Sequence, residues 1–244
     1  MTHYYHEDLA YVHDSGFGDF AHHAAKMIIK SLNEQIGKKG LVIDLGCGSG
    51  IVAQYLIEDG FNVLGIDQSS DIINIAKTRA PKAEFIAGSF FDVDFPKSIG
   101  IISTSECFNY IFEEKDHADS LQNLFKKSYD ALEEGGLFIF DMIEPDTLDD
   151  KKYIIEHDDW NMFVHSFENK EDHILIRDVT LFKKVGDFYR KSKEIHRAKL
   201  YDHERIALLL KSARFDVSLF KQYGELPLDE HHFGYLCKKK NATF

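Results

Sequence analysis

The chain has few cysteines and few prolines. Its 244 residues include three cysteines, Cys47, Cys107 and Cys237, and four prolines. The cysteines lie far apart and have no paired spacing, so we expect neither a disulfide framework nor a metal site. Free thiols are typical of a reducing compartment, and we therefore expect a cytoplasmic protein.

Positive charge is also scarce. The 41 acidic residues outnumber the 29 basic ones, and the formal net charge is −12. A protein that holds a nucleic-acid backbone needs a basic surface, whereas the one dense basic run of this sequence is Lys238–Lys240. We therefore expect no nucleic-acid partner and a small molecule as the ligand.

Long apolar runs are missing as well. No run approaches the roughly 20 residues that a membrane-spanning helix needs, so we expect no membrane partner. Residues 1–19 carry histidine, aspartate and glutamate and lack the apolar stretch of a signal peptide. Because 44% of the residues are apolar, the chain can nevertheless bury a sizeable core.

From residue 41 to residue 141 the chain alternates between short apolar runs and amphipathic helical stretches. Near-continuous apolar strands that alternate with helices indicate a parallel sheet with helices on both faces, which is an α/β, Rossmann-like fold. Two apolar runs near the C-terminus bring the expected number of strands to seven. The predicted strands are 41–45, 61–66, 84–87, 99–103, 137–141, 215–222 and 231–239.

The pattern changes after Pro145. Three strand-like runs follow without a helix between them, which predicts an antiparallel β insertion at 160–167, 173–182 and 188–200. We predict that this insertion is a lid over the substrate; the alternative is that its strands form the interface of a homodimer. The predicted parts of the chain are an N-terminal cap helix with a ligand-binding core (1–145), the lid (146–201), and the last helix with two strands of the core sheet (202–244).

The first predicted strand ends in a turn that contains Asp44, Gly46, Gly48 and Gly50. Ligands of open parallel sheets bind at the carboxyl ends of the strands, and glycines there let the backbone approach a ligand. The spacing is G-x-G-x-G and differs from the dinucleotide fingerprint G-x-G-x-x-G. Asp67 closes the second strand, where a carboxylate can accept both hydroxyls of a ribose. These residues indicate a nucleoside ligand without deciding between NAD and another nucleoside; a tight turn without a ligand is the alternative.

Five motifs in this order resemble those of class I S-adenosylmethionine-dependent methyltransferases, at 42–50, 66–69, 88–90, 104–109 and 135–141. Outside this core, Tyr5–Asp14 is similar to the N-terminal cap of small-molecule methyltransferases. Residues 195–201 resemble the end of the β insertion in glycine and amino-sugar N-methyltransferases. The sequence departs from the family pattern at Ser89, where an acid is commoner, and at Arg214, where a glycine usually ends the last helix.

The resemblance implies S-adenosyl-L-methionine as the cofactor and transfer of its methyl group to a nitrogen or oxygen atom of a small molecule. It places the glycines against the methionine part, Asp44 at its amino end, Asp67 and Gln68 at the ribose, and Ser89 and Phe90 beside the adenine. The implied cofactor-binding residues are Asp44, Gly46, Gly48, Gly50, Asp67, Gln68, Ser89, Phe90, Thr104 and Phe108.

The acceptor site is predicted in the lid. His196 and His165 are candidate bases for removing a proton from the acceptor, and Arg177 and Arg197 are candidates for holding an acidic substrate. Aromatic residues expected to line the substrate pocket are Tyr11, Trp160 and Phe163. For each of these residues, packing or a surface position is the alternative. Two other functions stay open at this point, an NAD-dependent oxidoreductase and a non-catalytic module that binds S-adenosylmethionine.

Overall fold

A computed structural model describes residues 4–111, 117–146 and 150–240. The helices are α1 (Glu7–Gly16), α2 (Asp19–Gln35), α3 (Ile51–Glu58), α4 (Ser70–Arg79), α5 (His117–Ala131) and α6 (His203–Ser212). The first five strands are β1 (Leu41–Leu45), β2 (Asn62–Asp67), β3 (Glu84–Ala87), β4 (Ser98–Ser103) and β5 (Leu132–Ile143). The next four are β6 (Lys151–Glu156), β7 (Trp160–Asn169), β8 (Ile174–Val185) and β9 (Phe188–Lys199). The last four are β10 (Phe215–Phe220), β11 (Gln222–Tyr223), β12 (Leu226–Pro227) and β13 (His232–Lys239).

Seven of the strands form the central sheet, in the order β10-β13-β5-β4-β1-β2-β3. The strands from β5 to β3 pair in parallel, whereas β13 pairs antiparallel with both β5 and β10. The chain runs outward from β1 through β2 to β3 and then crosses back to β4, so the strand order reverses beside β1. This confirms the predicted Rossmann-like sheet of seven strands, and it places the ligand-binding edge at the carboxyl ends of β1 and β4.

Strand β5 shows how both faces of this sheet are buried. Phe138 and Phe140 belong to the apolar cluster that includes residues of α5 and α6. Leu137 and Ile139 belong to the cluster that includes residues of α2 and α3. Because successive side chains of a strand point to opposite faces, an uninterrupted apolar run is what a sheet covered on both faces requires.

Two turns concern positions that the sequence singles out. The apolar spacing from Ala118 to Leu132 predicts a helix that ends at Gly135, which is wrong: α5 ends at Ala131, because Leu132 already pairs with Ser98 of β4 before a register shift. Arg214, which stands where a glycine is usual, adopts the left-handed conformation with φ of 74°. The turn after α6 therefore keeps the glycine-type geometry, at a cost of about 1 kcal/mol.

Strands β6 to β9 form a separate antiparallel sheet, which we call the inserted sheet. Its inner face packs on α1, through a cluster that contains Leu9, Val12, Trp160, Met162, Val164, Val179 and Leu181. Three of its strands were predicted. Strand β6 was missed, because it is mostly exposed and lacks an alternating apolar pattern. In the part of the chain that the structure describes, no helix is long and apolar enough to cross a membrane.

Candidate functional site

The glycine turn between β1 and α3 has a backbone that only glycine adopts readily. Gly46, Gly48 and Gly50 have φ of +71°, +51° and +77°. A Cβ atom at Gly46 would lie 2.4 Å from Cys107 Sγ, so the turn and the loop after β4 need this glycine to approach each other. A Cβ atom at Gly50 would lie 3.0 Å from Cβ of Ala76, which means that Gly50 serves the packing of α4 against the turn.

A cleft of about 980 Å³, including its open mouth, lies over the glycine turn; we call it the glycine-turn cleft. It brings together seven of the ten predicted cofactor-binding residues, namely Gly46, Gly48, Asp67, Gln68, Ser89, Phe90 and Thr104. The other three do not line it. Asp44 is buried, Gly50 faces α4, and Phe108 is buried in the core among Phe90, Phe125, Phe138 and Phe140.

Asp67 is held at the end of β2 by backbone donors. Its Oδ2 accepts a hydrogen bond from the Gly48 nitrogen at 3.0 Å, and its Oδ1 accepts one from the Ser69 nitrogen at 3.0 Å. Burial raises the pKa of this carboxyl, although these hydrogen bonds oppose the rise. The carboxylate is thus fixed beside the glycine turn with further lone pairs available for a ligand.

Several buried polar atoms at this site have no hydrogen-bond partner among the described residues. They are Oδ2 of Asp44, both side-chain polar atoms of Gln68, and Nδ1 of His13. Burial, with a smaller contribution from the negative charge of Asp67, raises the pKa of Asp44 to about 7. Unpartnered buried polar groups are costly and rare in folded proteins, so their concentration here fits a polar ligand such as a nucleoside with an amino acid part.

A second cavity, of about 1410 Å³ with its open part, adjoins the glycine-turn cleft. The two are contiguous because they share the lining residues Tyr5, His13, Phe17, Ser105 and Tyr110. Its walls include the inner face of the inserted sheet, with Met162, Val164 and Val179, and the segment around β12. The inserted sheet and α1 therefore enclose space directly next to the predicted cofactor site.

The loop between the two cavities is strained. Ser105 and Glu106 have φ of 64° and 56°, in the left-handed region that non-glycine residues rarely enter. The buried carboxylate of Asp141 accepts hydrogen bonds from both of their backbone nitrogens, at 3.0 and 2.7 Å. It also accepts one from the Tyr223 hydroxyl at 2.9 Å and lies 2.7 Å from Nε2 of His232. Burial lowers the pKa of His232, but the hydrogen bond to Asp141 and its charge outweigh this and raise the pKa above its ordinary value.

The side chain of Glu106 lies in the second cavity and forms an ion pair with Arg177. Nη2 of Arg177 lies 2.6 Å from Oε1 of Glu106, and both side chains are largely buried, with 20% and 18% of their surface exposed. Although burial opposes it, the charge of Glu106 raises the pKa of Arg177. Nη1 of Arg177 also lies 3.4 Å from the Tyr110 hydroxyl, which is 3.1 Å from that of Tyr5. A charged and hydrogen-bonding group is thus placed at one wall of an otherwise largely apolar cavity.

The two histidines predicted as catalytic lie on opposite faces of the inserted sheet. His196 lines the second cavity, but its Nε2 is 2.8 Å from a carboxylate oxygen of Glu194. Glu194 also accepts hydrogen bonds from the backbone nitrogens of Tyr5 and His6, so this group ties the start of α1 to β9. His165 lies on the outer face, 2.7 Å from Asp150.

Of the residues predicted to line the substrate pocket, the structure brings only Arg177 to the second cavity. Trp160 is buried in the cluster between the inserted sheet and α1. Phe163 is on the outer face, Tyr11 bonds to Asp159 at 2.7 Å, and Arg197 is exposed on β9. Sequence reasoning missed His13, Glu106 and Tyr110, although they lie within or beside motifs that resemble the family.

Comparisons with known proteins agree with this geometry. Residues 42–136 match the family described as a methyltransferase domain. A putative methyltransferase of Geobacillus sp. strain WCH70 is 26% identical over 229 residues, which cover 86% of this chain and 89% of that protein. An S-adenosylmethionine-dependent methyltransferase from Clostridium acetobutylicum has a TM-score of 0.82 at 21% identity and covers 96% of this chain and 98% of its own. The sugar N-methyltransferase KedS8 from Streptoalloteichus has a TM-score of 0.78 at 15% identity, and the match covers 99% of this chain and 98% of KedS8.

The matched domain, the relatives and the shared fold confirm the resemblance seen in the sequence. Residues 42–136 match a methyltransferase domain, and the chain as a whole resembles class I S-adenosylmethionine-dependent methyltransferases, which indicates an enzyme that uses S-adenosyl-L-methionine. These likenesses favour a methyltransferase over the two alternatives, an NAD-dependent oxidoreductase and a non-catalytic binding module.

Proposed function

We propose that the enzyme methylates a nitrogen or oxygen atom of a small molecule that binds in the second cavity. The observation that carries this proposal is the junction of the two cavities, since Tyr5, His13, Ser105 and Tyr110 line both. An acceptor in the second cavity would meet the cofactor at these residues. A concave site with apolar walls and a few polar groups is typical of small-molecule binding.

In this proposal the glycine-turn cleft binds the cofactor and the second cavity binds the acceptor. S-adenosylmethionine supplies an electrophilic methyl group, and the glycine-turn cleft would hold it, with Asp67 at the ribose and Asp44 near the amino end. The inserted sheet and α1 act as the lid, which excludes water and aligns the acceptor; alignment alone contributes several kcal/mol to the lowering of the barrier. Two proteins of the same fold, the sugar N-methyltransferase KedS8 and an amino pentose methyltransferase from Micromonospora, are named for sugar substrates that carry amines, which supports an amine acceptor.

Two further parts of the proposal come from the sequence. The net charge of −12 supports an acceptor other than nucleic acid, and the unpaired cysteines support a cytoplasmic location.

The outer face of the inserted sheet exposes Ile154, Phe163 and Ile195 by 57%, 42% and 51%, which supports a homodimer through that face.

The test uses two neighbouring residues of β8 that face opposite sides. Val179 lines the second cavity, whereas Thr180 lies on the outer face of the same strand. Val179→Phe should fill the cavity and lower methyl transfer at least about tenfold, while Thr180→Phe should leave it unchanged. The measurement is transfer of a radiolabelled methyl group to a panel of small amines, acids and phenols, with cofactor affinity from calorimetry as the control for folding.

Both variants should bind the cofactor as the wild type does. Equal methyl transfer by Val179→Phe and the wild type would show that the acceptor binds elsewhere. A wild-type enzyme that binds the cofactor, rejects the whole panel and methylates a protein or RNA would refute a small-molecule acceptor.

A further inference from the structure

His13 stands out among the residues that line both cavities. Its Nδ1 is buried and has no hydrogen-bond partner among the described residues. Two polar side chains nearby do have partners, since the hydroxyls of Tyr5 and Tyr110 form a hydrogen bond with each other at 3.1 Å. His13 therefore brings an unsatisfied polar atom to the junction where the cofactor and the acceptor would meet.

The surroundings of His13 hold its ring in place. The Tyr5 ring packs edge-on against it with centroids 4.9 Å apart, and the Phe17 ring stacks at 6.1 Å. The helix that carries it is anchored by the next residue: Asp14 accepts hydrogen bonds from Arg79, which also donates to the backbone oxygen of Ser49 in the glycine turn at 2.7 Å. The position of the ring relative to the glycine turn is thus fixed through Asp14 and Arg79.

The ring is also in the protonation state that leaves one nitrogen as an acceptor. Burial lowers the pKa of His13 to about 4, with a smaller effect from His196, although Asp14 opposes this. At neutral pH the imidazole is uncharged, so one ring nitrogen carries a proton and the other has a free lone pair. A buried lone pair without a donor loses the free energy of a hydrogen bond until a ligand supplies one.

We infer that His13 accepts a hydrogen bond from the N–H or O–H group of the methyl-accepting atom and so turns that atom's lone pair toward the methyl group. The inference rests on the proposed function, and it assigns a catalytic residue that the sequence-based candidates His196 and His165 did not include. Because the ring keeps a low proton affinity, its role is to orient the nucleophile by a hydrogen bond.

A first test needs no knowledge of the acceptor, because a cofactor analogue can present an N–H donor in place of the transferred methyl group, at the junction that His13 lines. Sinefungin carries an amine on carbon at the position of the methyl-bearing sulfur, whereas S-adenosylhomocysteine has no group there. Calorimetry measures the dissociation constants of both compounds for the wild type, His13→Phe and His13→Asn. His22→Phe is the matched control, because His22 is exposed on α2 and lines neither cavity.

We expect His13→Phe to raise the dissociation constant of sinefungin about tenfold, as loss of a hydrogen bond to a charged group would. The dissociation constant of S-adenosylhomocysteine should change less than about twofold. His13→Asn should recover most of the difference, because its side-chain oxygen occupies nearly the position of Nδ1. His22→Phe should match the wild type for both compounds.

A merely structural His13 would weaken the binding of both compounds equally, and that result overturns this inference alone, as does a His13→Phe variant that methylates the small-molecule panel at the wild-type rate. A wild-type enzyme that binds neither compound overturns the proposed function together with it.

Discussion

Oδ2 of Asp141 lies 2.7 Å from the backbone nitrogen of Glu106. A fully buried carboxylate at the end of β5 therefore holds the strained turn that carries the acid of the Glu106–Arg177 pair. Backbone strain persists where the surrounding structure imposes it, and it concentrates at functional sites. The shape of this wall of the second cavity thus depends on a residue that lines neither cavity.

Replacement of Asp141 by asparagine should loosen this turn. The amide can accept only part of the four hydrogen bonds that the carboxylate accepts, so stability should fall by about 3 kcal/mol and the melting temperature by roughly 6–12 °C. Thermal unfolding checks the expectation, with Tyr223→Phe as a control that removes one of the four bonds. A melting temperature within about 2 °C of the wild type would show that the turn does not need the charge.

Asp67→Ala should weaken cofactor binding, both through lost ribose contacts and because the Gly48 and Ser69 nitrogens lose their acceptor. If the carboxylate accepts ribose hydroxyls, its loss removes charge-assisted hydrogen bonds that stabilise by about 1.5–3 kcal/mol each. The dissociation constant measured by calorimetry should rise at least about tenfold. Asp71→Ala, on the first turn of α4, is the control. An unchanged constant in Asp67→Ala would place the ribose elsewhere.

Cofactor affinity should depend on pH through Asp44. The folded-state pKa of about 7 is far above the ordinary 3.8, so the free enzyme carries a neutral Asp44 at pH 6 and an ionised one at pH 8. If the cationic amino end of the cofactor binds the ionised form, affinity should fall about tenfold from pH 8 to pH 6, with proton release on binding.

Calorimetry in two buffers of different ionisation enthalpy measures that release directly. Asp44→Asn is the matched variant, since it removes the titrating group while keeping the size of the side chain. A wild type whose affinity is the same at both pH values, or an Asp44→Asn variant with the same pH dependence as the wild type, contradicts the role of Asp44.

The two arginines expected to hold the substrate offer a matched comparison. Arg177 is paired in the second cavity, whereas Arg197 is exposed on β9. Arg177→Met leaves the charge of Glu106 largely buried without a partner, which should lower the free energy of unfolding by about 3 kcal/mol. It should also lower methyl transfer to the small-molecule panel more than it lowers cofactor affinity.

Arg197→Met should change neither quantity. Urea unfolding gives the stability and radiolabel transfer gives the activity, so the two effects are measured separately. If Arg177→Met and Arg197→Met behave alike in both assays, the ion pair contributes nothing to the acceptor site.

Local signals in the sequence were enough for the core. The sequence predicts Ser69 or Ser70 as the cap of a helix that runs through Arg79, and the Ser69 hydroxyl accepts a hydrogen bond from the Ile72 nitrogen at 3.3 Å. The continuous apolar run of β5 predicted burial on both faces, which the structure confirms. Such features depend on residues that are near each other in the chain, and their spacing carries the information.

The acceptor side could be predicted less well. Phe163 and Val164 are both apolar neighbours on β7, yet one is on the outer face and the other lines the second cavity. Periodicity shows that neighbouring side chains face opposite ways, but not which set faces the enclosed space. For the same reason, His165 and His196 were equivalent candidates until the packing of the sheet separated them.

The sequence by itself predicted a nucleoside-binding parallel sheet, because glycine turns, strand runs and the acid after β2 are local patterns, and the order of its five motifs predicted the class of enzyme and the cofactor. Only the tertiary structure decided which side chains meet at the junction of the two cavities. His13 and Tyr5 come from the N-terminal helix region, Tyr110 from the loop after β4, and Arg177 from the inserted sheet. Their meeting results from packing between segments that are far apart in the chain; Tyr5 and Tyr110, whose hydroxyls share a hydrogen bond, are 105 residues apart. No spacing rule along the chain records such a contact.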